Sequence, residues 1–434
     1  MDNGLGGERK VNPGEIAVGI DLTDTYSQVS YGIADAKDVD TLSVINGGNE
    51  YMIPTALFRR REVNQWYFGA DAVRNADGDG YYVDRLITRA EEGQEIVLGN
   101  EHYRPSALIA LFIRRLLSML NMLAPTNRIA TLMITVDNLD DNLAAVLSEA
   151  VASLSLNTDQ VSFQSHMESF YFYNIYQPAE LWGHSVLLFD FSDEYLKSLK
   201  MSCNKNTTPV VAFVDPGFYQ NVKVSKVKNL LPDSMDAREA DAAFLEIARA
   251  QSSNQVLSAI YFIGDGFNRE IYKNSLAFLC TRGRAFEGNN LYSKGACYAA
   301  KNKIYQTIIS ENHVLLGNDK LKANVGINVL KQGQNSYLPL LDAGVNWFEV
   351  RKSCKIILNE GNKVNLVITP MTGRNPEIAE ITLSDLPKRP PKTTRLHISV
   401  RMQSESRMEV KIKDLGFGEM FPSSKLEWTE VIVI

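Results

Sequence analysis

Two periodicities divide the chain. Up to about residue 317, apolar runs of strand length alternate with segments whose apolar residues recur every three to four positions, the signature of strands interleaved with amphipathic helices. A hairpin at 16–34 leads to the extended "EYMIPTALFRR", then to "QWYFGADAVRNA", an extended piece followed by a short helix. "RIATLMITV" (128–136) reads as a buried strand, and Asp140 or Asp141 caps a helix running to about Leu156. Strand-like runs resume with "SVLLFDF" (185–191), "YLKSLKMS" and "VVAFVDPG". A helix around 236–251, a buried strand "SAIYFIGDG" (258–266) and a helix at about 293–307 complete an α/β pattern.

Beyond residue 317 the helical period disappears. Leu396, Ile398, Val400 and Met402 face one way and Arg395, His397, Ser399 and Arg401 the other. Such strands, bounded by Gly, Pro and Asn turns, predict an antiparallel β-sandwich. The PxxP inside "LPKRPPK" (386–392) then reads as a connecting loop.

One apolar stretch, "ALIALFIRRLLSMLNMLA" (107–124), has the length of a membrane span. Arg114 and Arg115 in its middle would each cost about 2.5–3.5 kcal/mol on insertion. Arg114, Ser118 and Asn121 form one narrow polar stripe, so the segment reads as a largely buried helix with no membrane insertion. "MDNGLGGERKVNPGE" has no apolar core and reads as an unstructured start rather than a signal peptide.

Composition narrows the picture. With 434 residues, 45% hydrophobic and 22% charged, the chain is a globular protein of two or three domains. A net charge of −6 gives no general attraction to nucleic acid or anionic membrane. Five scattered histidines make no pair at metal-ligand spacing, and Cys203, Cys280, Cys297 and Cys354 form no CxxC. Reduced thiols of a cytoplasmic protein are the expectation.

"VGIDLTDTYSQVS" resembles the first phosphate hairpin of the DnaK-type heat-shock chaperones, members of the actin-like ATPase superfamily. The order of the later segments is similar too: "IPTALFRR…QWYFGADAVRNA", "IATLMITV", "VLLFDFSDEYLKSLKM", "IYFIGDGFNREIYKNS" and "SKGACYAAKNKI" resemble successive stretches of that family's ATPase domain. "NHVLLGND" lies where the family has its apolar linker, and 379–416 resembles the end of its substrate-binding β-domain. The resemblance implies a two-lobed actin-like/DnaK-like α/β fold over 15–310 with a shortened subdomain IIB, after an unstructured 1–14. It further implies a linker at 311–319 with Val314, Leu315 and Leu316, and a β-sandwich at 320–434 without a helical lid. A sugar kinase or actin would share only the first part, and the β-domain argues against a small-molecule kinase.

The resemblance also implies site residues. Asp21, Glu168 and Asp190 match the family's catalytic acids, with Asp21 and Asp190 holding magnesium through water when nucleotide binds. Thr23, Asp24, Thr25, Ser192, Gly264, Gly266 and Asn268 match its nucleotide loops. The cradle departs from the family: Thr23 and Asp24 replace a glycine and a threonine, and Ser192, Asp193, Glu194 and Tyr195 replace three glycines and a threonine. A carboxylate about 4 Å from a phosphate costs roughly 4 kcal/mol at an effective dielectric near 20, close to a thousandfold in affinity. Gly264 survives, but Asp265 and Gly266 come after it, and Asn268 replaces the arginine that stacks on adenine. Lys37 is too early to match the family's catalytic lysine, and 59–101 offers only arginines. The expectation is therefore a pseudo-ATPase: a DnaK-like interaction or scaffold protein with a degenerate site, no cofactor and an unidentified protein or peptide partner. The alternative is a chaperone gated by Mg-ATP/ADP that binds extended peptides in its β-domain.

Overall fold

In the computed structural model, residues 15–434 are described except 34–37, 46–47, 62, 64, 124–127, 159, 206–207, 228–229, 254, 318–319, 348–349, 372–374 and 405. The expected unstructured start (1–14), Lys37 and residues 318–319 of the expected linker lie outside the described residues. The chain divides into two units, Met1–Val314 and Leu315–Ile434.

The first unit holds two mixed sheets with one topological order used twice. In the first sheet, β1 (Ile16–Leu22) and β2 (Tyr26–Ile33) form an antiparallel hairpin. Strand β3 (Ile129–Val136) lies parallel to β1, and β4 (Gln160–Ser165) parallel to β3. In the second sheet, β5 (Ser185–Asp190) and β6 (Tyr195–Asn204) form the hairpin, and β7 (Val210–Lys223) extends it. Strand β8 (Leu257–Ile263) runs parallel to β5, and Arg284–Glu287 parallel to β8. β1 and β8 are buried along their whole length, as expected of strands with parallel neighbours and covered faces. Asp21 and Asp190 therefore stand at corresponding places, at the carboxyl ends of the first strand of each hairpin.

Helices His166–Ile175 and Leu291–Ile304 pack across this framework. Close approach is set by two glycines. A Cβ on Gly19 would lie 2.2 Å from the Cys297 nitrogen, and one on Gly295 would lie 1.9 Å from the Ser169 carbonyl oxygen. Helix Pro105–Leu123 buries Leu108, Ile109, Phe112, Ile113, Leu116 and Leu120 and leaves Arg114, Ser118 and Asn121 exposed. Among the described residues it is the one helix long and apolar enough to cross a membrane, and its window is 56% buried within the fold. Asp140 caps helix Asp141–Ala152 by accepting from the Leu143 N–H at 2.8 Å. Between β7 and β8 the described helices are Val224–Val227 and Met235–Ser252.

The second unit is an antiparallel sandwich of two four-stranded sheets. One has the order β10 (Gln334–Leu341), β9 (Ala323–Lys331), β12 (Lys363–Pro370), β13 (Glu377–Thr382). The other has the order β11 (Arg351–Leu358), β14 (Thr394–Ser404), β15 (Arg407–Gly416), β16 (Glu427–Val433). Leu396, Ile398, Val400 and Met402 enter the core with Val325, Leu366 and Ile412, while Arg395 and Arg401 stay exposed. A fully buried carboxylate, Asp414, anchors the loop before β14. It accepts from Arg389 Nη1 and Nη2 at 2.8 and 2.7 Å, from the Gly416 and Ser424 N–H groups, and from Ser424 Oγ.

Candidate functional site

A cavity of about 230 Å³ opens beyond the carboxyl ends of β1 and β5, the place where ligands bind in open α/β sheets. Asp21, Thr23, Asp24, Thr25, Asp190 and Ser192 line it. Glu168, Gly264, Gly266 and Asn268 do not. The Glu168 side chain accepts from the Ser165 N–H at 3.2 Å, as the acid of a capping box at the start of helix His166–Ile175. Gly264 (φ +95°) and Gly266 pack on the backbone of Phe191. A Cβ on Gly264 would lie 2.3 Å from the Phe191 carbonyl carbon, and one on Gly266 would lie 2.7 Å from the Phe191 carbonyl oxygen. Asn268 Oδ1 accepts from the Glu270 N–H within its own turn. Of the expected linker residues, Val314 and Leu315 belong to the short strand His313–Leu315, and Leu315 and Leu316 are buried.

Within the cavity the polar groups are largely spent on one another. Thr23 closes its own hairpin, donating from Oγ1 to the Tyr26 carbonyl at 2.7 Å and accepting from the Tyr26 N–H. Asp24 reaches across to helix Leu86–Glu91, whose first residue is preceded by Arg85 in a left-handed conformation. Its carboxylate accepts from the Ile87 N–H at 2.8 Å, the Thr88 N–H at 3.2 Å and Thr88 Oγ1 at 2.5 Å. A charged acceptor at otherwise unpaired N-terminal amides is a favourable cap. Asp190 accepts from the Ser192 N–H at 2.9 Å and from the Tyr292 hydroxyl at 3.0 Å.

The floor is built from residues the sequence did not single out. His166, nearly inaccessible, places Nε2 2.8 Å from Asp21 Oδ1 and Nδ1 3.6 Å from Asp137 Oδ1. Its ring stacks on Tyr292 with centroids 3.8 Å apart and planes 9° apart. Burial alone would lower the imidazole pKa, but Asp21, Asp137 and Asp190 more than offset it and the net shift is upward. Lys197, from β6, bridges Asp137 at 2.6 Å and Asp193 at 2.5 Å. Burial pushes the Asp190 carboxyl up, with Asp193 adding to the rise, while bonds from Ser192 oppose it. Burial likewise raises the Asp137 carboxyl, yet His166 and Lys197 hold it below its ordinary value.

Asp21 and Asp190, the residues expected to hold magnesium through water, both line the cavity. Asp21 Oδ1 faces the imidazole, and both Asp190 oxygens already accept from protein donors. Among the described residues, no group of three or more His, Cys, Asp or Glu side chains is placed to hold a metal.

Residues 38–318 match the sequence model of a family of unknown function, DUF5716, at its C-terminal part. The chain belongs to that family. Residues 320–434 match a domain of unknown function, DUF8552. No curated protein matches the chain. The DUF5716 match takes in Asp137, His166, Asp190, Lys197 and Tyr292, whereas the hairpin bearing Asp21, Thr23, Asp24 and Thr25 precedes it.

Proposed function

We propose that this chain is a DnaK-like interaction or scaffold protein, with an actin-like two-lobed first unit whose nucleotide site no longer hydrolyses ATP. One observation carries the reading: Asp24, Asp190 and Asp193, three of the carboxylates facing the cavity, are satisfied by the protein itself. Asp24 caps helix Leu86–Glu91, Asp190 is held by Tyr292 and Ser192, and Asp193 is paired with Lys197. A polyphosphate entering here would meet Asp193, which lines the cavity, where a cradle needs bare backbone N–H groups. The repeated hairpin-and-parallel-strand order of the two sheets supports the actin-like part of the proposal. Function then resides in partner binding rather than turnover, since a fold by itself confers no chemistry.

A second reading, the ATP-gated chaperone, draws on the sandwich. There a groove of about 890 Å³ opens between the sheets, with Val329, Leu338, Ile356 and Leu358 among its walls. Steady-state phosphate release with Mg-ATP separates the readings. The scaffold reading expects no release above a protein-free blank. Turnover that Asp190→Ala abolishes would establish the chaperone reading instead.

A further inference from the structure

The outward face of the sheet β11, β14, β15, β16 differs in charge from the rest of the chain. Four exposed cations there have no carboxylate partner among the described residues: Arg351 and Lys355 on β11, Arg395 on β14 and Arg407 on β15. Three more are paired, Arg401 with Glu409 at 2.7 Å, and Lys411 and Lys413 with Glu427 at 2.6 and 3.7 Å. Seven cations against two carboxylates leave a surplus of five positive charges on this face among the described residues. The whole chain carries −6, so everything outside the face sums to −11. Left bare, the arrangement is unfavourable. Arg351 lies directly across from Arg401, and Lys355, His397 and Lys413 share one row over three strands. Like charges directly opposite destabilise a sheet, and a face kept only for solubility mixes its signs. The other sheet does so: on its outward face Lys363 pairs with Glu380 at 2.6 Å, beside the uncharged Asn365 and Thr369.

We propose that this face docks an acidic protein segment, an extended run rich in Asp and Glu. The proposal gives the partner of the interaction reading its chemistry and rests on that reading for its purpose. Charge complementarity carries it: carboxylates laid over Arg351, Lys355 and Arg395 would relieve the repulsion along β11 and β14. Strands about 4.8 Å apart, rising about 3.4 Å per residue, make a face of roughly 15 Å by 25 Å. That is the length of an extended segment of about seven residues. Larger polyanions fit less well. Trp428, the one Phe, Tyr or Trp of these four strands, packs on the core, so nucleic-acid bases would find no stacking platform. A duplex or a membrane, reaching past the face, would bring its charge up to the acidic remainder of the chain.

The intact chain would be mixed with a fluorescein-labelled oligoglutamate peptide and followed by anisotropy as sodium chloride is raised. Wild type should bind the peptide at low salt and release it as salt screens the contact. The triple reversal Arg351→Glu/Lys355→Glu/Arg395→Glu should weaken binding about tenfold or more. Reversing three exposed cations of the first unit, Arg74→Glu/Lys226→Glu/Lys273→Glu, changes the net charge equally and should leave affinity within about twofold. The three face side chains are exposed and unpaired, so their reversal should melt with wild type. Should it fail to fold, Lys355→Ala/Arg395→Ala takes its place, with a several-fold loss expected. No binding by wild type, no loss in the face variant, or an equal loss in both triple variants would overturn the proposal. So would tighter binding of phosphatidylserine–phosphatidylcholine vesicles, or of a short DNA duplex, than of the peptide. Mg-ATP turnover with peptide binding intact would instead strike the silent-site proposal and leave this one standing.

Discussion

Arg389→Ala is expected to unfold the sandwich far more readily than any surface substitution in it. The Asp414 carboxylate is fully buried, and Arg389, with a side chain only 6% exposed, supplies its sole positive partner among the described residues through two hydrogen bonds. Truncating the arginine leaves the carboxylate inside with only the Gly416 and Ser424 donors. Orphaning one member of a buried pair costs about 3–5 kcal/mol. At tenfold per 1.4 kcal/mol that is roughly two to four decades in opening equilibrium. Hydrogen exchange of the intact protein, followed in peptides covering Thr394–Gly416, reads this directly as lost protection. The double variant Arg389→Ala/Asp414→Ala should recover part of the loss, because the orphaned charge is gone. A fall in protection below tenfold, or a double variant no better than the single, would refute the reasoning.

The same site sets a pH dependence. Burial alone would raise the Asp414 carboxyl, but Arg389, Ser424 and Gly416 together hold it far below the usual carboxylate range. A folded-state pKa below the unfolded value means the stabilisation is complete above about pH 3.9 and is lost only as pH falls through the folded value. The deficit of Arg389→Ala relative to wild type should accordingly be present at alkaline pH and shrink as pH falls and the orphaned, burial-raised Asp414 carboxyl of the variant takes up a proton. Asp24→Ala should destabilise the first unit by about 1 kcal/mol and speed exchange at the Ile87 and Thr88 amides; unchanged exchange there would show that Asp24 is no cap. Gly295→Ala should cost about 1–3 kcal/mol by overpacking, because its Cβ would collide with backbone at Ser169; a thermal melt equal to wild type would mean the two helices can separate freely.

How much of this was legible in the sequence depends on the range of each interaction. The period-two alternation of Leu396 to Met402 placed a core face, and Asp140 announced a helix start, because strand pleat and capping are local. Ser165-x-x-Glu168 also spells a capping box, a local signal for the role the structure gives Glu168. The cleft floor was not legible. Asp24 meets amides 63 and 64 positions away, and His166 meets Asp21 across 145 positions. A solitary histidine carries no spacing from which such a partner can be inferred. Asp24, which sequence reasoning set against an incoming phosphate, is instead bound to a helix start. The resemblance to DnaK-type chaperones supplied a place to look, while Asp137 and Tyr292 lie outside the quoted segments and Lys197 lies inside one without having been singled out.

Isothermal titration of the intact wild-type chain with Mg-ATP and Mg-ADP tests the central claim most directly. A cleft whose carboxylates are held by His166, Lys197, Tyr292 and helix Leu86–Glu91 should give no saturable heat with either nucleotide up to millimolar concentration. Saturable micromolar binding of either one would contradict the account, since phosphate and metal would then have a place that the geometry gives to the protein's own side chains.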